Sequence, residues 1–263
     1  MKQRTITALL ALVVFLPFVI IGGHVFTFLV YGIATVGLLE LIRMRNIGDY
    51  LIPYILAILL LWLVLLPSGD SMSFAGWFTK FEMIALIILL LLAYTVLVKN
   101  KFTFDHVGFI LLTALYVGLG FLYLLETRNG NNALNNILYA FFIIWTTDTG
   151  AYLFGRAFGK RKLWPMISPN KTIEGAIGGV VLAVVVAVVF HLISPFPHSL
   201  IIVIGVTILA SIFGQIGDLV ESAFKRNYGV KDSGKILPGH GGILDRFDSL
   251  LFVLPLLHLI HFF

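Results

Sequence analysis

The chain alternates long apolar stretches with short polar ones, and the apolar stretches have the length that a lipid bilayer demands. They fall at residues 7–22, 24–42, 50–66, 81–98, 107–125, 134–154, 175–195, 200–221 and 247–262. Crossing a bilayer core takes roughly 20 helical residues, so the pattern predicts membrane helices, with the first and last near the lower limit. Backbone embedded in lipid must satisfy its hydrogen bonds internally, which favours helices packed on helices. The expected fold class is all-α: a polytopic integral membrane helical bundle of about nine transmembrane helices. It forms one domain over residues 1–263. The opening run MKQRTITALLALVVFLPFVIIGG has the basic start and apolar middle of a signal peptide. It lacks a small-x-small cleavage site and another span follows at once, so a retained first helix is expected.

Composition agrees. Of 263 residues, 59% are hydrophobic and 12% are charged, which excludes an ordinary soluble domain. Cysteine is absent, which excludes disulfides, thiolate metal sites and a cysteine nucleophile. The cations are distributed unevenly. Of 18 Lys and Arg residues, 16 lie at the N-terminus or in the loops after spans two, four, six and eight, and only Lys80 and Arg128 lie on the other side. The positive-inside tendency then predicts a cytoplasmic N-terminus and an external C-terminus. Ten of the cations sit in the loops after spans six and eight, so function is expected to face the cytosol.

The segment Ser222 to Asp248, SAFKRNYGVKDSGKILPGHGGILDRFD, interrupts the apolar chain with five cations, three carboxylates and a Gly-rich turn. Asp218 and Glu221 stand three residues apart just before it, and Asp245 and Asp248 repeat that spacing at its end. On helices this spacing puts side chains on one face. Two such faces can converge on a cation, and oxygen ligands suit Mg²⁺, which also contacts substrate phosphates, alone or with a second cation. The alternative is structural pairing of the acids with Lys225, Arg226 or Arg246. Asp148, in WTTDTGAYLFGR, is an acid within a span, where acids mark pockets. It can ligate a cation directly or through water, orient a nucleotide group, or simply pair with Arg156.

Two loops have the chemistry of anion binding. In GRAFGKRKLWPMISPNKTIEG, Arg156, Lys160, Arg161 and Lys162 precede Ser168, Asn170, Lys171 and Thr172. These groups can neutralise or hydrogen-bond phosphate oxygens, or merely follow topology and touch anionic lipid. Thr172 reads as an N-cap, and Glu174 fits a structural role near the following helix start. In PGHGG, Pro238, Gly239, Gly241 and Gly242 either form an anion nest or simply reverse the chain, and His240 can contact a phosphate or position an acid. No Walker A loop is present.

Ser222, Ala223, Phe224, Lys225 and Arg226, then Lys231, Asp232, Gly234, Pro238, His240, Gly241, Gly242, Asp245, Arg246 and Asp248, together resemble the signature of the phosphatidate cytidylyltransferases, also called CDP-diacylglycerol synthases. The resemblance extends upstream through Asp148, residues 155–162 and residues 168–175, so the motifs concentrate in 145–175 and 215–250. It implies transfer of CMP from CTP to phosphatidic acid with release of pyrophosphate, Mg²⁺ dependence, a homodimer in a bacterial cytoplasmic membrane, contact with membrane lipid, and no nucleic acid polymer as partner. Carried over residue by residue, it implies Asp218 and Asp245 as central metal ligands, with Asp248, Glu221 and Asp148 nearby. Lys225, Arg226, Lys231 and Arg246 would stabilise phosphate charge, and Ser222, Asp232 and His240 would position substrates or loops. An anion or lipid-phosphate transporter, and a related CTP-dependent lipid kinase or cytidylyltransferase acting on an isoprenoid or archaeal lipid, are the competing readings.

Overall fold

The computed structural model describes residues 13–47, 50–67, 73–74, 78–237 and 239–263. The start of the first expected span, with Lys2 and Arg4, and Pro238 lie outside the described residues. Helix α1 occupies the described residues 13–21. It is followed by α2 (Gly23–Met44), α3 (Leu51–Leu65), the strand pair β1 (Ser73–Phe74) and β2 (Phe78–Thr79), α4 (Lys80–Leu97), α5 (Phe104–Asn129) and α6 (Ala133–Phe158). Strands β3 (Lys162–Trp164) and β4 (Ser168–Thr172) precede α7 (Ile173–Ile193), α8 (Leu200–Asn227), α9 (Leu244–Phe247) and α10 (Leu250–Leu259).

The protein is an all-α membrane bundle. Among the described residues six helices are long and apolar enough to cross a membrane: α2, α4, α5, α6, α7 and α8. Helices α3 and α10 are apolar but shorter. The expected last span is broken, because α9 ends at Phe247 and α10 begins only at Leu250.

Small residues bring α6 and α7 together, as expected for helices in lipid, where close backbone approach replaces the hydrophobic effect. A Cβ on Gly150 would stand 2.9 Å from the Gly178 carbonyl oxygen and 3.0 Å from Gly179 Cα. Two buried hydroxyl pairs tie α6 to α8: Tyr139 with Thr207, and Thr147 with Ser211, each at 2.8 Å. Helix α8 approaches the α9–α10 junction equally closely, since a Cβ on Gly217 would meet the Asp248 carbonyl oxygen at 2.6 Å and Phe252 Cδ2 of α10 at 3.0 Å.

The two cations that break the charge asymmetry have a local cause. Lys80 Nζ donates to the carbonyl oxygens of Leu66 at 2.6 Å and Val64 at 3.3 Å, at the C-terminal end of α3. Arg128 donates to the carbonyl oxygens of Val19, through Nε, and of Ile20, at 2.8 Å, at the end of α1. Terminal carbonyls have no partner within their helix and favour a nearby cation.

Gly150→Val is expected to force α6 and α7 apart and cost about 1–3 kcal/mol, the usual range for overpacking. Thermal unfolding of the detergent-solubilised protein reads this as a lowered Tm; an unchanged Tm would show that the helices do not meet there.

Candidate functional site

The segment expected to be a loop with anion-binding chemistry contains a short hairpin. Strands β3 and β4 pair antiparallel, with Lys162 opposite Thr172 and Trp164 opposite Ser168. Thr172 then caps α7, its hydroxyl accepting from the Gly175 amide at 3.1 Å. Glu174 takes a structural role, accepting from the amides of Lys160 at 3.1 Å and Arg161 at 3.2 Å. At the turn, the Ile167 carbonyl accepts from Arg226 Nε at 3.2 Å, which ties the hairpin to the end of α8.

Between the hairpin and helices α6, α7 and α8 lies a polar cavity of about 480 Å³. Asp148, Arg156, Asn170, Lys171, Gln215 and Asp218 are among its lining groups. Lys171 Nζ pairs with Asp218 Oδ2 at 2.6 Å, and Ser222 Oγ donates to Asp218 Oδ1 at 3.3 Å. Both partners of the ion pair are partly exposed, so the pair contributes little to stability and is free to exchange for a ligand.

A second cavity, of about 390 Å³, opens between α1, α2, α6 and the α9–α10 segment. Phe15, Leu29, Ile33, Phe141, Trp145 and Leu250 supply apolar wall, while His240 and Arg246 bring polar groups to it. Arg246 Nε donates to the His240 carbonyl at 3.1 Å. Arg246 is also within electrostatic reach of Asp148 in the polar cavity. One guanidinium therefore lines the apolar cavity and acts electrostatically on an acid of the polar one.

The two acidic pairs do not stay together as pairs. Asp218, Asp248 and Asp148 lie within electrostatic reach of one another. Glu221 and Asp245 instead flank Lys225, whose ammonium contacts Glu221 Oε2 and stands 2.6 Å from Asp245 Oδ1. Glu221 is 1% exposed, and its Oε1 is buried with no hydrogen-bond partner among the described residues, as is the Tyr116 hydroxyl. Tyr116 is within electrostatic reach of Asp248 and Glu221.

Asp245 also organises the Gly-rich turn. Its Oδ2 accepts from the Ser233 and Gly242 amides, each at 2.8 Å, and lies 2.9 Å from Ser233 Oγ. Burial alone would raise its pKa, but Lys225 and the amides of Gly242 and Ser233 outweigh that and hold it below the usual carboxylate range. The turn needs glycine at Gly239 and Gly241, whose φ angles are 77° and 80°. Its backbone closes through Leu237 N to Gly241 O at 3.0 Å and His240 N to Leu237 O at 2.8 Å.

Among the described residues no three Asp, Glu or His side chains converge tightly enough to hold an ion as they stand. The donor set is still that of a hard divalent cation: carboxylate oxygens, no thiolate, and mutual repulsion that Lys171 and Arg246 only partly offset. Of the other expected site residues, Lys160, Arg161, Lys162, Lys231 and Asp232 are exposed and line neither cavity, and Ser168 sits in β4. Sequence reasoning passed over Gln215, Tyr116, Ser233 and Glu40. Glu40 carried a usable signal, being an acid inside an apolar span.

Lys225→Met removes the only cation in contact with Glu221 and Asp245 among the described residues, and is expected to cost about 3–5 kcal/mol, as breaking one side of a buried ion pair does. Denaturation of the detergent-solubilised variant measures it, and wild-type stability would refute the pairing. The depressed pKa of Asp245 has a sign that can be checked. Its stabilisation is complete above the unfolded carboxylate value, about 3.9, and is lost as pH falls through the lower folded value. The stability difference between wild type and Asp245→Asn should therefore hold from about pH 7 to pH 5 and shrink below about pH 4. A difference that already disappears at pH 5 would contradict this.

The chain matches the model of the Cytidylyltransferase family over residues 2–263. It is 54% identical over 259 residues to the phosphatidate cytidylyltransferase of Bacillus subtilis (strain 168), covering 98% of this chain and 96% of that protein. Its identity to the phosphatidate cytidylyltransferase of Staphylococcus haemolyticus (strain JCSC1435) is 50% over 262 residues, covering 99% and 98%. The phosphatidate cytidylyltransferase of Staphylococcus aureus (strain COL) is 49% identical over the same length, with the same coverage. A match along the whole length, through both cavities and the acidic helix ends, makes this chain a member of the cytidylyltransferase family.

Proposed function

We propose that this protein transfers CMP from CTP to phosphatidate, giving CDP-diacylglycerol and pyrophosphate, as one membrane-embedded domain with its site open to the cytosol. The observation that carries the reading is the position of Arg246, on the wall of an apolar cavity and within electrostatic reach of Asp148 in a polar one. Phosphatidate is held in lipid and CTP arrives from water, so the two phosphates must meet where an apolar and a polar cavity adjoin.

In this reading the apolar cavity takes the acyl chains near the glycerol, with the lipid phosphate at Arg246 and His240. The polar cavity takes the CTP phosphates, met by Lys171, Arg156 and Asn170. Lys160, Arg161 and Lys162 raise the local concentration of anions, Arg226 fixes the hairpin, and Ser168 and Ser222 support the neighbouring backbone and Asp218. Lys231 and Asp232 lie on the exposed approach to the turn.

A non-bridging oxygen of the phosphatidate monoester attacks the α-phosphorus of CTP. One P–O bond forms there as the bond to the β,γ-pyrophosphate breaks, and the pyrophosphate leaves with that electron pair. The attacking phosphate is already anionic near neutral pH, so no side-chain base is required. Fixed cations around the reacting phosphates stabilise charge as it moves from the attacking oxygen to the leaving group. Holding an anchored lipid and a nucleotide in one orientation supplies much of the remaining rate advantage.

Mg²⁺ is the cation we assign to the acidic group, with Asp218 and Asp248 as principal holders and Asp148, Glu221 and Asp245 around them. When bound it would neutralise phosphate charge and polarise the α-phosphoryl group. Between Glu221 and Asp245 the Lys225 ammonium already supplies positive charge, which leaves a second cation to the Asp148 side. The site belongs at the cytoplasmic face of a bacterial cytoplasmic membrane, with an external C-terminus, in a homodimer.

Purified protein in vesicles, given CTP, phosphatidate and Mg²⁺, is expected to form CDP-diacylglycerol. Asp218→Asn and Arg246→Ala should each lower turnover by about 100-fold or more, the scale of losing a group that stabilises charge developing in the transition state, while leaving the helical content unchanged by circular dichroism. Transport of phosphatidate without product, or near-wild-type turnover in both variants, would reject the proposal.

A further inference from the structure

Glu40 lies in α2, almost two hundred residues before the acidic segment it touches, and 3% of it is exposed. Both carboxyl oxygens are in use. Oε1 accepts from the Ile243 amide at 2.9 Å, and Oε2 accepts from the Leu244 amide at 3.0 Å and the Ser233 hydroxyl at 2.9 Å. With Gly242 N–H given to Asp245, three successive amides of the Gly-rich turn point at the protein's own carboxyl groups. The turn is an anion nest, and Glu40 is one of the anions it holds.

The surroundings are shaped to that carboxyl group. A Cβ on Gly234 would stand 2.8 Å from Glu40 Cδ, and one on Gly242 would overlap both of its oxygens. One turn back along α2, a Cβ on Gly37 would meet Leu244 Cδ2 at 3.2 Å, so α2 makes room for the residue that donates to Glu40. Two of the signature glycines are thereby explained by a residue outside the signature.

Ser233 transmits the contact onward. Its hydroxyl has one proton to donate and stands 2.9 Å from both Glu40 Oε2 and Asp245 Oδ2. Asp245 in turn holds Lys225 at 2.6 Å. A single line of hydrogen bonds and ion pairs thus runs Glu40, Ser233, Asp245, Lys225, Glu221, and in such a line the occupancy of one acceptor changes the strength of the next.

We propose that Glu40 is a positioning residue for cytidylyl transfer: from α2 it clamps the 242–244 turn and, by sharing the Ser233 proton with Asp245, sets where Lys225 stands. The proposal rests on the reading of the 222–248 segment as the active site. Glu40 touches no reacting group itself and acts through Ser233 and Asp245.

Glu40→Gln keeps the shape but places an amide donor opposite donors. With the full-length protein in vesicles, turnover at saturating CTP and phosphatidate is expected to fall about 10- to 100-fold, the scale of losing one or two hydrogen bonds to a charged group. KM for either substrate should change by less than about 3-fold, since the lost contact acts on the transition state. Glu40→Asp should retain intermediate turnover, and Glu40→Gln combined with Ser233→Ala should be no slower than the slower single variant. Hydrogen exchange of residues 233–245 should quicken in Glu40→Gln while the membrane helices keep their protection. Wild-type turnover in Glu40→Gln, a change confined to KM, or unchanged exchange would overturn the proposal. Should Glu40→Gln not fold, Ser233→Ala carries the test, and wild-type turnover there overturns it. A wild-type protein that forms no CDP-diacylglycerol at all would instead sink the enzyme reading, while the exchange measurement would still show whether Glu40 holds the turn.

Discussion

A carboxylate inside an apolar helical bundle must find its donors within the protein, because the surrounding lipid offers none. That constraint organises the functional end of this molecule. Glu221 and Asp245 are held by the Lys225 ammonium between them, Asp245 and Glu40 by the amides of a glycine turn, and Asp218 by Lys171 and Ser222. Each acid that is met in this way fixes a helix end or a loop. Helices α2, α8 and α9 are joined through these polar contacts more specifically than apolar packing alone would join them. Glu221 Oε1 and the Tyr116 hydroxyl are buried without a hydrogen-bond partner among the described residues.

The same constraint explains why the proposed chemistry sits where it does. The apolar cavity is walled by α1, α2, α6 and the α9–α10 segment, the polar one by α6, α7, α8 and the β3–β4 hairpin, and Arg246, on the first, lies within electrostatic reach of Asp148 on the second. A lipid substrate that stays in the membrane and a nucleotide that stays in water can then react without either leaving its own solvent.

The helices were legible because hydrophobic runs of membrane length have few other solutions. The motif residues were legible because so many polar groups in an apolar chain demand a reason. Other features were not. Three-residue spacing placed Asp218 with Glu221 and Asp245 with Asp248 on shared faces, yet it says nothing about what each face meets. The structure regroups them across helices, with Lys225 between one acid from each pair. Neither anion nest nor chain reversal was excluded for the PGHGG turn; the chain does turn there, and the Gly242 amide meets Asp245 while the next two amides, of Ile243 and Leu244, meet distant Glu40. Such partners come from tertiary contact and leave no mark in local spacing. The hairpin in residues 162–172 was hidden by its charged and proline-containing sequence.

The most direct measurement follows the label of CTP into lipid. With the full-length protein, phosphatidate and Mg²⁺, CTP labelled at the α-phosphorus should deliver its label to the lipid product, while CTP labelled at the γ-phosphorus should release its label as pyrophosphate. Label from the γ-phosphorus in the lipid would identify a kinase, and lipid free of both labels would contradict nucleotidyl transfer altogether.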